Sequence, residues 1–317
     1  MKKDEKINWN LIIRWAGTIL SVGILVYLFN QIGAEETWSA VRRISAWRIA
    51  AVLSLVFISR LATWGRWHTL LQVQALRVRW QDSLRLTFAG LFASNVLPTT
   101  IGGDVVRLAG AVRLGIDAAL AAASLVADRL VGMTGMALAL PFAIPALSNY
   151  LKAQSSSGML QTTAAAVLPG FFQKIQRAVK KVFANFGFWL KHPLILAQAL
   201  GFTFIHMLAT FLIVQILVHG MGESISLSKT AGLWSLTYFI SLIPVSINGL
   251  GLQELTITNL FSALGGLQPS TSISLALILR VVWMIGSLPG VFFIGGILGG
   301  EQPSDAGTEN EHGNTPD

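Results

Sequence analysis

Two stretches of the chain interrupt apolar sequence in the same way, and no other feature limits the fold as strongly. The first stretch runs from Asn95 to Asp104 and the second from Leu242 to Glu254. Each contains an apolar run, a proline, small residues, glycines and then one carboxylate. Proline and glycine interrupt helices, and a broken helix at membrane depth is tolerated only inside protein or beside a water-filled cavity. Paired interruptions in two halves of a membrane protein indicate a transport site.

The composition places these interruptions in a membrane. Hydrophobic residues make up 53% of the 317-residue chain and charged residues only 12%, whereas soluble domains carry about 25% charged residues. We therefore predict an all-α fold, a polytopic helical membrane protein in which both broken motifs are re-entrant and form an inverted repeat. The chain has no cysteine, which excludes disulfides, thiolate catalysis and zinc–thiolate sites.

Apolar runs predict about six membrane spans, because a span needs about 20 apolar residues. The runs are Leu11–Phe29, Ile49–Leu71, Ala118–Leu140, Met159–Phe172, Leu194–Val218 and Ile273–Leu298. Shorter apolar blocks lead into the broken motifs, which predicts re-entrant segments near residues 84–107 and 231–264. We assign residues 1–10 to a cytoplasmic N-terminus and residues 11–298 to one transmembrane domain. Residues 301–317 contain five acids and no Lys or Arg, and this polar composition predicts a disordered tail.

The distribution of basic residues predicts the orientation. With the N-terminus in the cytoplasm, fourteen Lys and Arg residues lie inside and five lie outside, in agreement with the positive-inside rule. This orientation depends on Met159–Phe172 crossing the membrane. The segment Phe172–Leu190 places basic residues between apolar ones at helical spacing, which predicts an amphipathic helix along the interface. We expect a multi-pass protein of the plasma (cytoplasmic) membrane.

Six ionisable residues lie in or beside the apolar runs. They are Asp104, Arg107, Asp128, Arg129, Glu254 and Arg280. A charge at the bilayer centre costs about 2.5–3.5 kcal/mol on insertion scales, so such residues persist when they are paired, wet or functional. Two interpretations remain open. In the first, Asp128 pairs with Arg280 and Glu254 pairs with Arg129 only to hold helices together. In the second, the arginines bind a lipid phosphate through their forked donors, while the carboxylates balance them, receive an ammonium group or relay protons.

The broken motifs and these charges together give the candidate substrate-binding residues. They are Asn95, Pro98, Gly102, Gly103, Asp104, Arg107, Asp128, Arg129, Pro244, Gly249, Gly251, Glu254 and Arg280. The glycines have a second explanation, which is tight turns and close helix packing. His206 stands alone in an apolar helix, where we predict a hydrogen-bonded structural histidine. The sequence has no His-Glu-x-x-His, Walker or Gly-x-Ser-x-Gly motif, so we predict no catalytic residue, metal or cofactor.

The order of these motifs resembles a known family. The motifs are Asn95 to Arg107, Asp128-Arg129 with Gly132, Pro244 to Glu254, and Arg280 followed by Pro289-Gly290. Over residues 10–298 the chain resembles the lysylphosphatidylglycerol synthase transmembrane-region family, also called flippase-like, the membrane half of the multiple peptide resistance factors. The resemblance implies a helical domain that moves a lipid between leaflets. In two-part relatives that lipid is an aminoacylated phosphatidylglycerol, made by a soluble domain that uses charged tRNA. Because the acidic tail follows directly here, we expect no such domain and no lysyltransferase activity.

Four functions are compatible with the sequence. The leading hypothesis is a lipid flippase or scramblase for an anionic or aminoacylated phospholipid, or another lipid phosphate. The second is a membrane enzyme acting on a lipid-linked substrate, in which Asp104 and Glu254 do acid–base work. The third is a small-solute or ion transporter, and the fourth is a scaffold that transports nothing. The expected partners are anionic membrane lipids and not nucleic acid, and a homo-oligomer and a separate lipid-modifying enzyme both stay open.

Overall fold

The computed structural model describes residues 34–72, 78–97, 102–154, 192–243 and 250–299, together with residues 23, 26, 27 and 30. All regular structure in these residues is helical, so the predicted all-α membrane fold is confirmed. Several predictions concern residues outside this part of the chain. They are the N-terminus 1–10, most of the span Leu11–Phe29, the span Met159–Phe172, the interfacial helix Phe172–Leu190, the tail 301–317, and the residues Pro98, Pro244 and Gly249.

The described residues form eleven α-helices and two short 3-10 turns. The helices are α1 Ala34–Arg42, α2 Ala46–Leu71, α3 Trp80–Val96, α4 Gly102–Arg113, α5 Ala118–Ala139, α6 Ile144–Gln154, α7 Pro193–Gly220, α8 Leu227–Ser241, α9 Leu252–Ala263, α10 Pro269–Ile285 and α11 Val291–Gly299. The 3-10 turns are Leu140–Ala143, between α5 and α6, and Leu288–Gly290, between α10 and α11.

The helix starts carry local signals that explain their positions. The Asp117 carboxylate accepts a hydrogen bond from the Leu120 amide at 2.9 Å and caps α5, and Ser226 caps α8 in the same way. Such caps satisfy amides that have no partner within the helix. Prolines occupy the first positions of α7 and α10, where the missing amide proton costs nothing.

Four helical stretches are long and apolar enough to cross a membrane by length and composition. They are Ala46–Leu71, Ala118–Ala153, Pro193–Gly220 and Pro269–Gly295, and each contains or overlaps one of the six predicted runs. The second is longer than the prediction, which ended at Leu140. Pro141 and Pro145 do not end the helical path there, because each begins a new helical segment, in which proline is tolerated in the first turn.

The first interruption separates two helices that pack against each other as an antiparallel pair, α3 and α4. Gly103 in the first turn of α4 lies against the Gly90 carbonyl and the Ser94 hydroxyl of α3. A side chain at Gly103 would overlap both groups, and one at Gly90 would overlap the side chain of Arg107. Close helix packing therefore explains these two glycines.

The second interruption separates α8 from α9. Gly251, immediately before α9, has a φ of +76°, a left-handed conformation that favours glycine. Its amide donates to the Glu254 carboxylate at 2.8 Å, so Glu254 caps the helix that it begins. Both interruptions thus separate short helices near the predicted positions, while the re-entrant topology and the inverted repeat stay predictions.

The apolar core lies where α2, α7, α8 and α10 meet. Its most buried members include Val56, Ile213, Leu233 and Leu279, none more than 1% exposed. Helix α2 packs along α7, while Gly232 of α8 lets the backbone of the Leu140–Ala143 turn approach closely. This core holds α2, α5 and α7 in fixed positions, and the α3–α4 pair closes the space beside them.

Candidate functional site

Asp128 joins three helices near the middle of α5. Its carboxylate accepts a hydrogen bond from Arg66 Nε of α2 at 2.7 Å and another from Arg107 Nη1 of α4 at 3.3 Å. The Asp128 side chain is only 4% exposed. A buried carboxylate is costly unless it is paired and hydrogen-bonded, and here each carboxylate oxygen has an arginine partner.

Asp104, in the first turn of α4, forms the neighbouring carboxylate site. One of its oxygens accepts from Arg129 Nε at 2.8 Å and Nη2 at 2.7 Å. The other accepts from Arg107 Nη1 at 3.4 Å, as expected for residues three apart on one helix face. Arg107 is therefore shared by Asp104 and Asp128. We call Arg66, Asp104, Arg107, Asp128 and Arg129 the cavity cluster.

Arg107 is held on a second side by an aromatic ring. Its guanidinium carbon lies 4.1 Å from the ring centroid of Trp67, within the range of a cation–π contact. Trp67 is fully buried, and its indole N–H donates to Ser124 Oγ at 3.1 Å. Arg107 Nε and Nη2 are buried and have no hydrogen-bond partner among the described residues. A guanidinium in this state can still donate to an anion.

The cavity cluster lines a cavity of about 270 Å³. The described lining residues are Arg60, Thr63, Arg66, Thr87, Gly90, Leu91, Ser94, Gly103, Asp104, Arg107, Asp128, Arg129, Gly132, Met136, Thr203, His206 and Tyr238. Arg60, Asp128 and His206 lie near the middles of α2, α5 and α7, which are all long enough to span. The cavity is therefore at the central level of these helices, and four arginines face two carboxylates within it.

Arg60 differs from the other cavity arginines because it has no carboxylate partner among the described residues. Its guanidinium carbon lies 4.8 Å from the Trp283 ring centroid, and its Nη2 donates to the Trp283 carbonyl at 3.2 Å. Arg60 Nε is buried without a hydrogen-bond partner in the described part of the chain. Helix α10 thus positions this cation at the cavity while leaving its charge unbalanced.

His206 also lines the cavity, where its role agrees with the sequence. Its Nδ1 lies 2.8 Å from Ser59 Oγ and 3.5 Å from Thr63 Oγ1, both on α2. The prediction of a hydrogen-bonded histidine in an apolar helix is confirmed, and these contacts tie α7 to α2 beside the cavity.

Glu254 and Arg280 form a separate ion pair between α9 and α10. Neither is among the described residues that line the cavity. The pairings of Asp128 with Arg280 and of Glu254 with Arg129 are therefore wrong. The physical reason is helix adjacency. Helix α9 packs on α10 and α4 packs on α5, so each carboxylate finds its arginine on a packed neighbour.

The structure brings some of the predicted site residues to the cavity and places the others elsewhere. Those that line the cavity are Gly103, Asp104, Arg107, Asp128 and Arg129. Gly251 lies with the Glu254–Arg280 pair, and Gly102 is buried at the start of α4. Asn95 donates to Ser287 Oγ at 2.7 Å and so ties α3 to the segment after α10.

Sequence reasoning did not assign Arg60 or Arg66 to the site. Both interrupt the apolar run Ile49–Leu71, and this interruption was the signal that could have identified them, because charges inside a span are functional by default. Tyr238 gave no such signal, since a lone tyrosine in an apolar helix resembles ordinary core.

Comparisons with known proteins agree with this architecture. The profile of the family described as the lysylphosphatidylglycerol synthase TM region matches residues 14–290. A UPF0104 membrane protein of Archaeoglobus fulgidus is 26% identical over 126 residues. That alignment covers 39% of this chain and 38% of the archaeal protein, so the chain matches well under half the length of this relative.

Proposed function

Because the chain belongs to the lysylphosphatidylglycerol synthase transmembrane-region family, we propose that it is a flippase- or scramblase-like transporter that moves a lipid phosphate between leaflets. Its four described candidate spans and its family make it a multi-pass membrane protein. The family name supports a phospholipid substrate, and the cavity supplies chemistry that suits a phosphate.

One observation carries this proposal, the arginine-rich cavity at the central level of α2, α5 and α7. Placing charges there is expensive in a membrane protein. Two of the arginines, Arg60 and Arg107, keep buried donors that no described residue satisfies. Arginine offers a planar fork of donors that matches phosphate oxygens. A lipid head group crossing the membrane would contact those donors at the level of the helix middles.

The energetics follow from the sequence. No Walker motif is present, so the proposed movement is downhill or coupled to ions or to the membrane potential. A head group with one net charge gains or loses about 2.3 kcal/mol per 100 mV. We further propose that the protein lies in the plasma membrane with a cytoplasmic N-terminus, among anionic lipids.

An enzymatic role has less support than transport. The acid–base hypothesis needs carboxylates that face a water-accessible cleft. Of its two candidates, Asp104 lies in the cavity cluster, whereas Glu254 pairs with Arg280 elsewhere. Both cavity carboxylates already accept hydrogen bonds from two arginines each.

Solute transport is the stronger alternative, because a cavity of about 270 Å³ also holds a free oxyanion. Phosphate uptake into sealed vesicles tests that alternative.

The test of the proposal is flipping of a fluorescent phosphatidylglycerol in proteoliposomes, with the outer-leaflet dye quenched. Arg129→Gln should slow flipping by about tenfold or more, because a hydrogen bond to a charged group contributes about 1.5–3 kcal/mol. Arg129 is 46% exposed, so the fold should tolerate the change. The matched control is Arg113→Gln, an exposed arginine in the last turn of α4 outside the cavity. Equal flipping by Arg129→Gln and wild type would remove the cavity from the transport path.

A further inference from the structure

We infer that the cavity selects head groups whose negative charge is not cancelled by an ammonium group, and that Arg60 sets this preference. The inference rests on the proposed function and names its substrate class. It separates the protein from the substrate that its family name suggests, since phosphatidylglycerol esterified with lysine carries a net positive charge.

The described lining of the cavity carries an excess of positive charge. Four arginines and two carboxylates line the cavity, which leaves a formal excess of two positive charges with histidine neutral. The rest of the chain can scarcely cancel this excess. Between Lys6 and Glu301 the sequence has eight acids, and all of them lie in the described ranges. The internal stretches 73–77, 98–101, 155–191 and 244–249 contain no Asp or Glu.

The cavity groups that remain able to bind a ligand are hydrogen-bond donors. Asp104 and Asp128 are each engaged by two arginines, so arginine already balances the negative charge that would attract an ammonium group. The buried groups without a partner among the described cavity residues are donors, namely Arg60 Nε and Arg107 Nε and Nη2. Positively charged hydrogen-bond donors bind oxyanions and repel cations. Repelling the wrong ligand is one way in which a site becomes specific for the right one.

Arg60 differs from the other three cavity arginines in what its removal would do. Removing Arg66 or Arg107 would take a partner from the buried Asp128 carboxylate, which is strongly destabilising for a buried charge. Removing Arg129 would leave Asp104 only its longer contact to Arg107. Arg60 has no such partner in the described residues, and Trp283 holds its guanidinium in place. The positive charge of Arg60 can therefore be removed without taking a partner from any described carboxylate. Arg60→Gln halves the formal excess and breaks no ion pair among the described residues.

The decisive measurement is binding in a nonionic detergent. Thermal-shift titrations would compare short-chain phosphatidylglycerol, phosphatidylcholine and lysine-esterified phosphatidylglycerol. We expect phosphatidylglycerol to bind roughly tenfold more tightly than phosphatidylcholine, with the lysine ester weakest, because opposite charges attract strongly at low dielectric. Arg60→Gln should reduce the ratio between the first two lipids by roughly fivefold or more.

Two further variants separate charge from structure. Arg60→Lys keeps the charge and should keep the order of the three lipids, whereas Arg113→Gln removes a charge outside the cavity and should change nothing. Equal or tighter binding of the lysine ester would overturn the inference, and so would an Arg60→Gln variant that weakens all three lipids equally.

Flipping of the same three lipids distinguishes this inference from the proposed function. Selective binding without flipping of any lipid would overturn the proposed function and support the selectivity of the cavity. Flipping of all three lipids at one rate, with equal binding, would support transport and overturn the selectivity.

Discussion

At the scale of single residues, Arg107 organises the site. Its Nη1 donates to both Asp104 and Asp128, and its guanidinium lies over the Trp67 ring. Its Nε and Nη2 are buried and have no hydrogen-bond partner among the described residues. Buried ion pairs of this kind are poor evidence for stability, because desolvation offsets much of the attraction. The unpaired donors cost about 1–3 kcal/mol each, which makes sense if an anion binds to them.

Asp128 should be the residue of the cavity cluster whose neutralisation costs most. Asp128→Asn leaves Arg66 and Arg107 without their buried carboxylate, and breaking such a pair costs about 3–5 kcal/mol. Thermal unfolding in detergent should show a large fall in Tm. The control is Asp117→Asn on the same helix. Asp117 is an exposed N-cap, and asparagine caps helices about as well as aspartate does. The Tm of the Asp117→Asn variant should therefore be close to that of the wild type. Equal Tm values for the two variants would contradict the buried ion pair.

At the scale of elements, the α3–α4 pair depends on close contact. Gly103 meets the Gly90 carbonyl and Ser94, and the cavity lies directly beside this crossing. The positions of Asp104 and Arg107 therefore depend on how closely α4 approaches α3. The small residues of the first broken motif have a structural task that serves the site, and the two explanations given for them are compatible.

Gly103→Ala should separate these helices and lower stability by about 1–3 kcal/mol, because overpacking forces the backbone to shift. Flipping should slow as well, since Arg107 moves with α4. Gly201→Ala on α7 is the matched control, because nothing lies within 4 Å of the methyl group it adds. In a helix interior alanine is favoured over glycine by up to about 1 kcal/mol, so this control should be neutral or stabilising. A neutral Gly103→Ala variant would show that the helices are not in close contact.

At the scale of the whole molecule, the ion pairs of the described residues fall into two groups that share no residue. The cavity cluster joins α2, α4 and α5, while Glu254 and Arg280 join α9 and α10. The inverted-repeat prediction assigns one broken motif to each half of the protein. The two groups of charge fit that division, but they do not form one shared site among the described residues.

This separation predicts additive effects. Asp104→Asn and Glu254→Gln should each lower the free energy of unfolding, and the double variant should lose the sum of the two within about 0.5 kcal/mol, as expected for sites without shared partners. The measurement is a double-mutant cycle on unfolding in detergent. A coupling energy well above that value would mean that the two groups contact each other and act as one site.

Much of the fold could be predicted from local sequence. Apolar runs of span length gave the helices α2, α5, α7 and α10, because burying apolar side chains in lipid depends on composition and length alone. Proline and glycine gave the two breaks, because their effect on the backbone is intrinsic. The Pro141 region shows where this reasoning fails, since proline tolerated in a first turn allows the helical path to continue.

The sequence by itself determined an all-helical membrane protein, its family, and the presence of costly charges at Asp104, Arg107, Asp128 and Arg129. Only the tertiary structure decided which charges meet. Ion pairing depends on the packing of helices far apart in sequence, such as α2 against α5, which no local pattern encodes. For the same reason, tertiary structure alone brought Arg60 to the cavity and set Glu254 and Arg280 apart from it.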